Sequence, residues 1–482
     1  MKLKQIIQGI DAQLQGPVDV EVKDLQFDSR RVGEGTLFVA QPGTKVDGHD
    51  YIAAAVQAGA VAVVCQHVPA DAPACTYVVV ADSSEALGLA AANFYGHPSR
   101  RLQLVGITGT NGKTTTVTLL HRLFRHLGRH AGLISTIVNK IDDQELPTGH
   151  TTPDALELNQ LLARMVEAGC DCCFMEVSSH AVVQRRIAGL EFAGAIFSNI
   201  THDHLDFHRT MQAYIAAKKG FFDALPATAW ALVNIDDKNG RVMVQNTRAA
   251  VHTYSLRQMA DHRCRIVEEG FEGMLLDLDG SELWCRLVGR FNAYNLLAIY
   301  SAALLCGVPK EEVLRQLSLL EPAPGRFQYV SGRGVTAIVD YAHTPDALQN
   351  VLDTIRDLRR AQQQIITVVG CGGDRDRTKR PEMAQIAMRL SDKLVLTSDN
   401  PRTEQPDAIL DDMEAGLSAE QLSHTVRITD RRQAIRTACL MAREGDIILV
   451  AGKGHEKYQE VNGVRSHFDD VEELENQLGI RN

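Results

Sequence analysis

The sequence predicts an α/β protein of three domains, and three observations predict it. Its 482 residues exceed what one ordinary core organises, so several domains are expected. The stretch Leu102 to Thr116 reads as a buried strand, a glycine loop and then a helix. The last third of the chain repeats an apolar strand followed directly by a charged loop containing glycine or proline. In a parallel sheet such loops share one edge, which is where α/β proteins bind ligands.

Composition narrows the function classes. Hydrophobic residues at 45% and charged residues at 23% describe an ordinary soluble globular protein. A formal charge of −10 with no sustained basic surface excludes a nucleic-acid binder, so any phosphate is bound locally. The ten cysteines are scattered, and Cys170, Cys172 and Cys173 lack the paired spacing of a zinc site. Thiols in a reducing compartment are expected. No segment joins a long apolar core to a small-residue cleavage site, and no run reaches the ~18 apolar residues a membrane helix needs. A cytoplasmic protein without membrane insertion, acting as a monomer, is the expectation.

Residues 1–98 read as a small α/β domain. Leu37 to Ala40, Ala60 to Cys65 and Thr76 to Val80 have strand character, while Tyr51 to Ala58 and Ser84 to Phe94 have helical character. The segment Phe27-Asp-Ser-Arg-Arg-Val32, taken alone, is a turn before a strand. Gly96-His-Pro-Ser-Arg100 punctuates the chain and marks a boundary.

A central domain follows, residues 99–325, built around the glycine loop. Gly109 and Gly112 free backbone N–H groups to face phosphate oxygens, Lys113 reaches terminal phosphates, and the Thr114 hydroxyl suits magnesium. The general phosphate-loop spacing requires glycine at position 107, where Ile107 stands, so this is a variant. The helix beyond carries Val117, Leu120, Phe124 and Leu127 on one stripe, widened by Leu119 and Leu123. A P-loop ATPase-like sheet with helices on both faces is therefore expected.

Further along, Pro153 and Asp154 open a helix that Thr152 is placed to cap. The strand Cys172 to Met175 ends at Glu176, and a carboxylate beside a phosphate cradle suits a magnesium ligand. A strand from Ala195 leads to Thr201-His-Asp-His-Leu-Asp206, a density of ionisable groups that a solvated face does not explain. Lys218 sits in an apolar helix, where it either snorkels to water or is held for chemistry. Val251 to Arg286 reads as short β segments, and Gly289-Arg-Phe-Asn-Ala-Tyr-Asn295 opens a long apolar helix that Asn292 and Asn295 cap or line.

The C-terminal domain, residues 326–482, is expected to be Rossmann-like. Its loops are Gly370-Cys-Gly-Gly-Asp-Arg-Asp-Arg377, Asp399-Asn-Pro-Arg402 and Gly452-Lys-Gly-His-Glu456, with Asp340-Tyr-Ala-His-Thr-Pro345 after an earlier strand. The glycines of the first loop do not follow Gly-x-Gly-x-x-Gly, which disfavours a dinucleotide. Arg375 and Arg402 beside Asp399 and Glu456 give a mixed-charge site suited to an amino acid.

The wording Gly109-Thr-Asn-Gly-Lys-Thr114 resembles the Mur ligase and folylpolyglutamate synthase superfamily, which joins an amine to a carboxylate using ATP. The likeness spans almost the whole chain, with motifs in the family's order. It implies ATP as co-substrate, bound by Gly109, Thr110, Asn111, Gly112, Lys113, Thr114 and Thr115, with Asn292, Asn295, Arg326 and Asp340 also on the nucleotide. It implies two magnesium ions held by Thr114, Glu176, His204 and a carbamylated Lys218; Lys113, Lys218, His204 and Glu176 would carry catalysis. Carbamylation needs a neutral amine, which burial favours.

Phe27, Ser29, Thr151, Thr152, Ser178, Gln184 and Arg186 match positions that contact a UDP-linked muramoyl dipeptide. For this threonine pair, simple helix capping by Thr152 remains the equal alternative. Arg375, Asp399, Asn400, Pro401, Arg402, Gly452 and Glu456 match the amino-acid site, and Asp399-Asn-Pro-Arg402 resembles the motif of the meso-diaminopimelate-adding branch. Such a motif opposes a lysine-adding sister, whose substrate has no distal carboxylate for an arginine. The uridine-type segment opposes a folate enzyme; retained Glu176, His204 and Lys218 oppose a scaffold without catalysis. The implied reaction passes through an acyl phosphate on the glutamyl carboxylate, which the diaminopimelate amine displaces.

Overall fold

Three sheets organise the chain in a computed structural model that describes residues 1–43 and 46–480. The first has five strands in the order Ala12–Gln15, Thr76–Val80, Ala60–Cys65, Thr36–Val39 and Asp24–Gln26, with only the Ala12–Gln15 pairing antiparallel. The helix Ser83–Phe94 covers it, capped by Asp82, whose carboxylate accepts from the N–H groups of Ser84 and Glu85. Its far face docks on the middle of the molecule: a Cβ at Gly88 would meet the Ala188 carbonyl oxygen at 2.5 Å.

The central sheet has eleven strands. Its cradle strand Gln103–Thr108 lies between Gly194–Phe197 and Cys172–Glu176, all parallel, with Glu176 beside Ile107 and Phe197 beside Thr108. That register brings the glycine loop, Glu176 and the loop from Ser198 to His204 to one edge. Residues alternate between two cores: Val105, Ile107, Phe174 and Ile196 pack against helices Lys113–His126 and Arg290–Leu305. Leu104, Met175 and Phe197 face the helices Ala155–Glu167 and Met211–Asp223. Burial on both faces explains the unbroken apolar strands.

One expectation fails here. The helix Ala155–Glu167 is capped by Asp154, whose side chain accepts from the Glu157 N–H at 2.9 Å; the Thr152 hydroxyl instead donates to the Glu176 carbonyl at 2.8 Å. Both residue types cap helices, and the tertiary contact of Thr152 decides between them.

The third sheet runs Gln328–Gly332, Val335–Asp340, Ile447–Ala451, Ile365–Val369, Lys393–Leu396 and Thr425–Arg427, parallel except for the first pair. The loops after residues 340, 369, 396 and 451 therefore emerge together. A separate hairpin, Tyr458–Val461 with Val464–His467, lies against them. Among the described residues no helix is long and apolar enough to cross a membrane.

Candidate active site

Glycine is required at two points of the cradle. Gly109 has φ +153° and a Cβ there would lie 2.0 Å from Ser198 Oγ; Gly112 has φ +88° and a Cβ would lie 2.5 Å from Asn295 Oδ1. The loop is braced from behind, as Thr110 N–H donates to the Asn199 carbonyl at 2.8 Å and Asn111 N–H to Asn199 Oδ1 at 3.0 Å. Lys113 folds back to donate to the carbonyls of Gly109 and Thr110, at 3.0 and 2.9 Å. Desolvation lowers its pKa, with Glu176 and Asp203 opposing that shift.

Glu176 is buried at the strand end, and its Oε1 accepts from Thr114 Oγ1 at 2.9 Å and from the Thr136 N–H at 2.8 Å. Its Oε2 is buried with no hydrogen-bond partner. An orphaned carboxylate oxygen beside the cradle hydroxyl fits a hard cation, as buried polar atoms rarely stay unsatisfied. Lys218 is likewise fully buried, with Nζ donating to the Gly109 carbonyl at 2.8 Å, and desolvation drives its pKa well below the ordinary lysine value. His204 has a left-handed backbone at φ +53°, and desolvation lowers its pKa to about 4, leaving the imidazole neutral. His208 is tied instead to Ser179 Oγ at 2.8 Å. Among the described residues no three His, Cys, Asp or Glu side chains close on one point.

Next to Glu176 lies a second group of predicted residues. Arg186 donates to the Thr152 carbonyl at 2.6 Å and to Gln184 Oε1 at 2.6 Å, and Ser178 N–H donates to Thr152 Oγ1 at 3.1 Å. Thr151 Oγ1 accepts from Thr136 Oγ1 at 3.0 Å. Thr151, Thr152, Ser178 and Arg186 line a cavity of about 460 Å³ together with Lys113, Glu176, His204 and Lys218. Arg375, Asp399, Asn400, Arg402, Gly452 and Glu456 line the same cavity from the opposite side. Phe27, Ser29, Gln184 and Pro401 are not on its wall.

On the C-terminal loops, Arg402 adopts φ +54° and donates to the Gly373 carbonyl at 2.7 Å. Asn400 is engaged at both ends of its amide: Oδ1 accepts from Lys453 Nζ at 3.0 Å and Glu460 N–H at 2.9 Å, and Nδ2 donates to Glu456 Oε2 at 2.7 Å. Burial and the nearby Asp399 raise the Glu456 pKa, with Lys453 opposing.

A larger cavity of about 830 Å³ opens on the other flank of the cradle, walled by Asn111, Gly112, Asn295, Arg326, Asp340 and Tyr341. Arg326 lies over the Tyr341 ring at 4.7 Å and donates to Thr114 Oγ1 at 3.2 Å. Burial raises the Asp340 pKa to about 6, although Arg326 and the Phe327 N–H favour its charged form. Asn292 corrects an expectation: it is absent from the wall, donates to the Val288 carbonyl at 2.8 Å, and accepts from Asn295 Nδ2 at 3.1 Å. It orients Asn295.

Three family models match in succession: "Mur ligase family, catalytic domain" on residues 21–95, "Mur ligase middle domain" on 107–303, and "Mur ligase, glutamate ligase domain" on 325–454. A curated relative from Cytophaga hutchinsonii, UDP-N-acetylmuramoyl-L-alanyl-D-glutamate--2,6-diaminopimelate ligase, is 56% identical and covers 99% of this chain and 100% of its own length. The chain belongs to the Mur ligase family. A solved structure of a protein of that same name superposes with a TM-score of 0.72 at 33% identity, covering 99% of each chain. The MurF ligase of Thermotoga maritima in complex with ADP shares the fold, with a TM-score of 0.64 at 20% identity, covering 96% of this chain and 99% of its own.

Sequence reasoning missed several residues of this Mur ligase site. Asp236 receives the Tyr294 hydroxyl at 2.8 Å on the wall of the larger cavity, and Asp346 lies close to the cradle there. The Asp236-Asp237 pair after a strand was a usable signal, being an acidic turn at the sheet edge that holds the cradle. For Lys453, between two glycines of the Gly452 to Glu456 loop, the signal was a cation inside a recognition motif.

Proposed function

We propose that this Mur ligase joins meso-2,6-diaminopimelate to UDP-N-acetylmuramoyl-L-alanyl-D-glutamate, converting ATP to ADP and phosphate in the cytoplasmic assembly of peptidoglycan precursor. The observation that carries it is that Arg402 and Arg375 share one cavity with Lys113 and Glu176. An arginine pair placed there matches the far carboxylate of diaminopimelate, which lysine lacks. The relatives at 54–56% identity bear the name of this activity.

Each residue then has a task. The cradle N–H groups and Lys113 neutralise the phosphates, and Lys113 leaves the Gly109 and Thr110 carbonyls to stabilise charge on the transferring group. Magnesium, two ions in this reading, would when bound lower the repulsion between triphosphate and glutamyl carboxylate. Thr114, Glu176, His204 and carbamylated Lys218 would hold it; the buried Lys218 amine is favoured in the neutral form that carbon dioxide requires. Arg186, with Thr152 and Ser178, orients the dipeptide end, and Phe27 and Ser29 take the uridine end. Glu456, oriented by Asn400 and Lys453, receives an ammonium of diaminopimelate while the arginines hold carboxylate. A closed cleft protects the acyl phosphate from water until the second amine attacks. We assign residues 1–98, 99–325 and 326–482 to the uridine, ATP and amino-acid domains.

The test is phosphate release from magnesium–ATP and the UDP-dipeptide, with added meso-diaminopimelate or L-lysine. Stimulation by diaminopimelate alone is expected. Stimulation by lysine would overturn the assignment of Arg402, and stimulation by neither would overturn the ligase reading.

A further inference from the structure

We propose that Asp346 is a positioning residue: its carboxylate, held on the cradle's Asn111, is the pivot on which the C-terminal domain docks over the nucleotide. Among the described residues, two hydrogen bonds join the cradle, residues 109–115, to the chain beyond residue 325. One runs from Arg326 to Thr114 Oγ1 at 3.2 Å, the other from Asn111 Nδ2 to Asp346 Oδ2 at 2.7 Å. Thr201 Oγ1 adds a second donor to the same carboxylate oxygen at 3.4 Å, and Asn350 Nδ2 a third at 3.2 Å.

These two ties have different fates. The Thr114 hydroxyl is the group that the ligase reading gives to metal, so the Arg326 contact competes with loading of the site. Asn111 is different, because its backbone is already fixed from behind. Its N–H donates to Asn199 Oδ1 at 3.0 Å, and its carbonyl accepts from Ser198 Oγ at 2.6 Å and Asn199 Nδ2 at 3.1 Å. The side-chain amide is left for Asp346, and nothing in nucleotide binding needs that bond broken.

Electrostatics supports a positioning role. A carboxylate on the wall of a triphosphate cavity opposes binding by like charge, so its presence calls for a compensating role. Its place in the chain supplies one. Asp346 is in the first turn of the helix Pro345–Leu358, capped by Thr344 and packed on the helix Lys379–Leu390, so displacement of the C-terminal domain acts directly on the cradle bond.

The proposal rests on the ligase reading for the identity of the nucleotide and the amino acid. It is tested with the full chain by calorimetry of magnesium–AMP-PNP binding, small-angle scattering, thermal unfolding, and KM for each substrate. Asp346→Ala is expected to weaken AMP-PNP about tenfold, enlarge the radius of gyration of the nucleotide complex, and raise KM for diaminopimelate. KM for the UDP-dipeptide is expected to stay the same, since that substrate sits on the other two domains. Asp346→Asn keeps an acceptor oxygen without the charge and should bind AMP-PNP at least as well as the wild type. Asn111→Ala combined with Asp346→Ala should be no worse than the poorer single variant.

Unchanged affinity and scattering in Asp346→Ala would overturn the pivot, as would tighter binding by that variant or multiplying losses in the double variant. Should Asp346→Ala fail to fold, a loss of affinity in Asp346→Asn equal to that of a cradle variant would overturn it equally. A wild type that binds AMP-PNP but responds to no amino acid would sink the ligase reading alone, because nucleotide affinity and scattering still judge the pivot.

Discussion

The proposed nucleotide cradle and the proposed amino-acid loops are both strand-to-loop junctions at the edges of parallel sheets, yet they are held by opposite means. Backbone fit shapes the cradle: Gly109 and Gly112 lie where a Cβ would collide, and main-chain bonds to Asn199 brace the loop. Buried charge shapes the amino-acid loops. Lys453 is fully buried against Asn400 and Glu456, and Arg380, equally buried, grips Glu404 and Asp412 at 2.8 Å. Glu404 also receives the Asp374 N–H, fixing the loop that carries Arg375. A ligand with invariant phosphates suits a rigid backbone mould, whereas choice among amino acids is set by which charges are exposed and which are spent internally.

Substitution at the cradle should have the largest effect. Lys113→Ala is expected to lower kcat by about a thousandfold, the scale of losing one well-placed charge stabiliser, with UDP-dipeptide binding retained in calorimetry. Comparable turnover in that variant would mean that backbone alone does the work. In the amino-acid loops the effect should be smaller and confined to one substrate. Arg402→Lys is expected to raise KM for diaminopimelate about 10- to 100-fold, the worth of a charge-assisted hydrogen bond, while KM for ATP holds in steady-state assays. The smallest contrast is in acid. Pairing with Arg380 holds the Glu404 pKa at about 2, below the ordinary 4.5. A depressed carboxylate stabilises the fold fully above its unfolded pKa and loses that contribution as pH falls through its folded one. About 1 kcal/mol should be gone by pH 3 once solvent screening is allowed for, and Glu404→Gln should flatten that limb of an acid-unfolding curve.

How much of this was legible in the sequence follows the same division. The cradle is a local pattern, so its strand, glycines and helix stand where the spacing put them. Glu176 and the loop carrying His204 were also readable, as each directly follows an apolar strand. Side-chain networks were not. Arg380 meets Glu404 across 24 positions and Asn400 meets Lys453 across 53, separations that leave no periodic trace. Asn292 and Asn295 look equivalent in the chain, but three residues along a helix turn one into the wall and the other into the core. The strand Ala12–Gln15 was missed because three of its four residues are exposed at a sheet edge, leaving no alternation to read.

All ten cysteines are unpaired, and burial lifts every thiol pKa above its ordinary value, Cys65 and Cys439 to about 11 and Cys371 to about 12. Thiols held this way are slow to form the reactive thiolate. The native chain therefore offers a quiet background for maleimide chemistry: one cysteine introduced on an exposed surface of each outer domain would take fluorophores ahead of the ten. Energy transfer between two such dyes would report any change in the spacing of the outer domains on ligand binding, with no native sulfur removed.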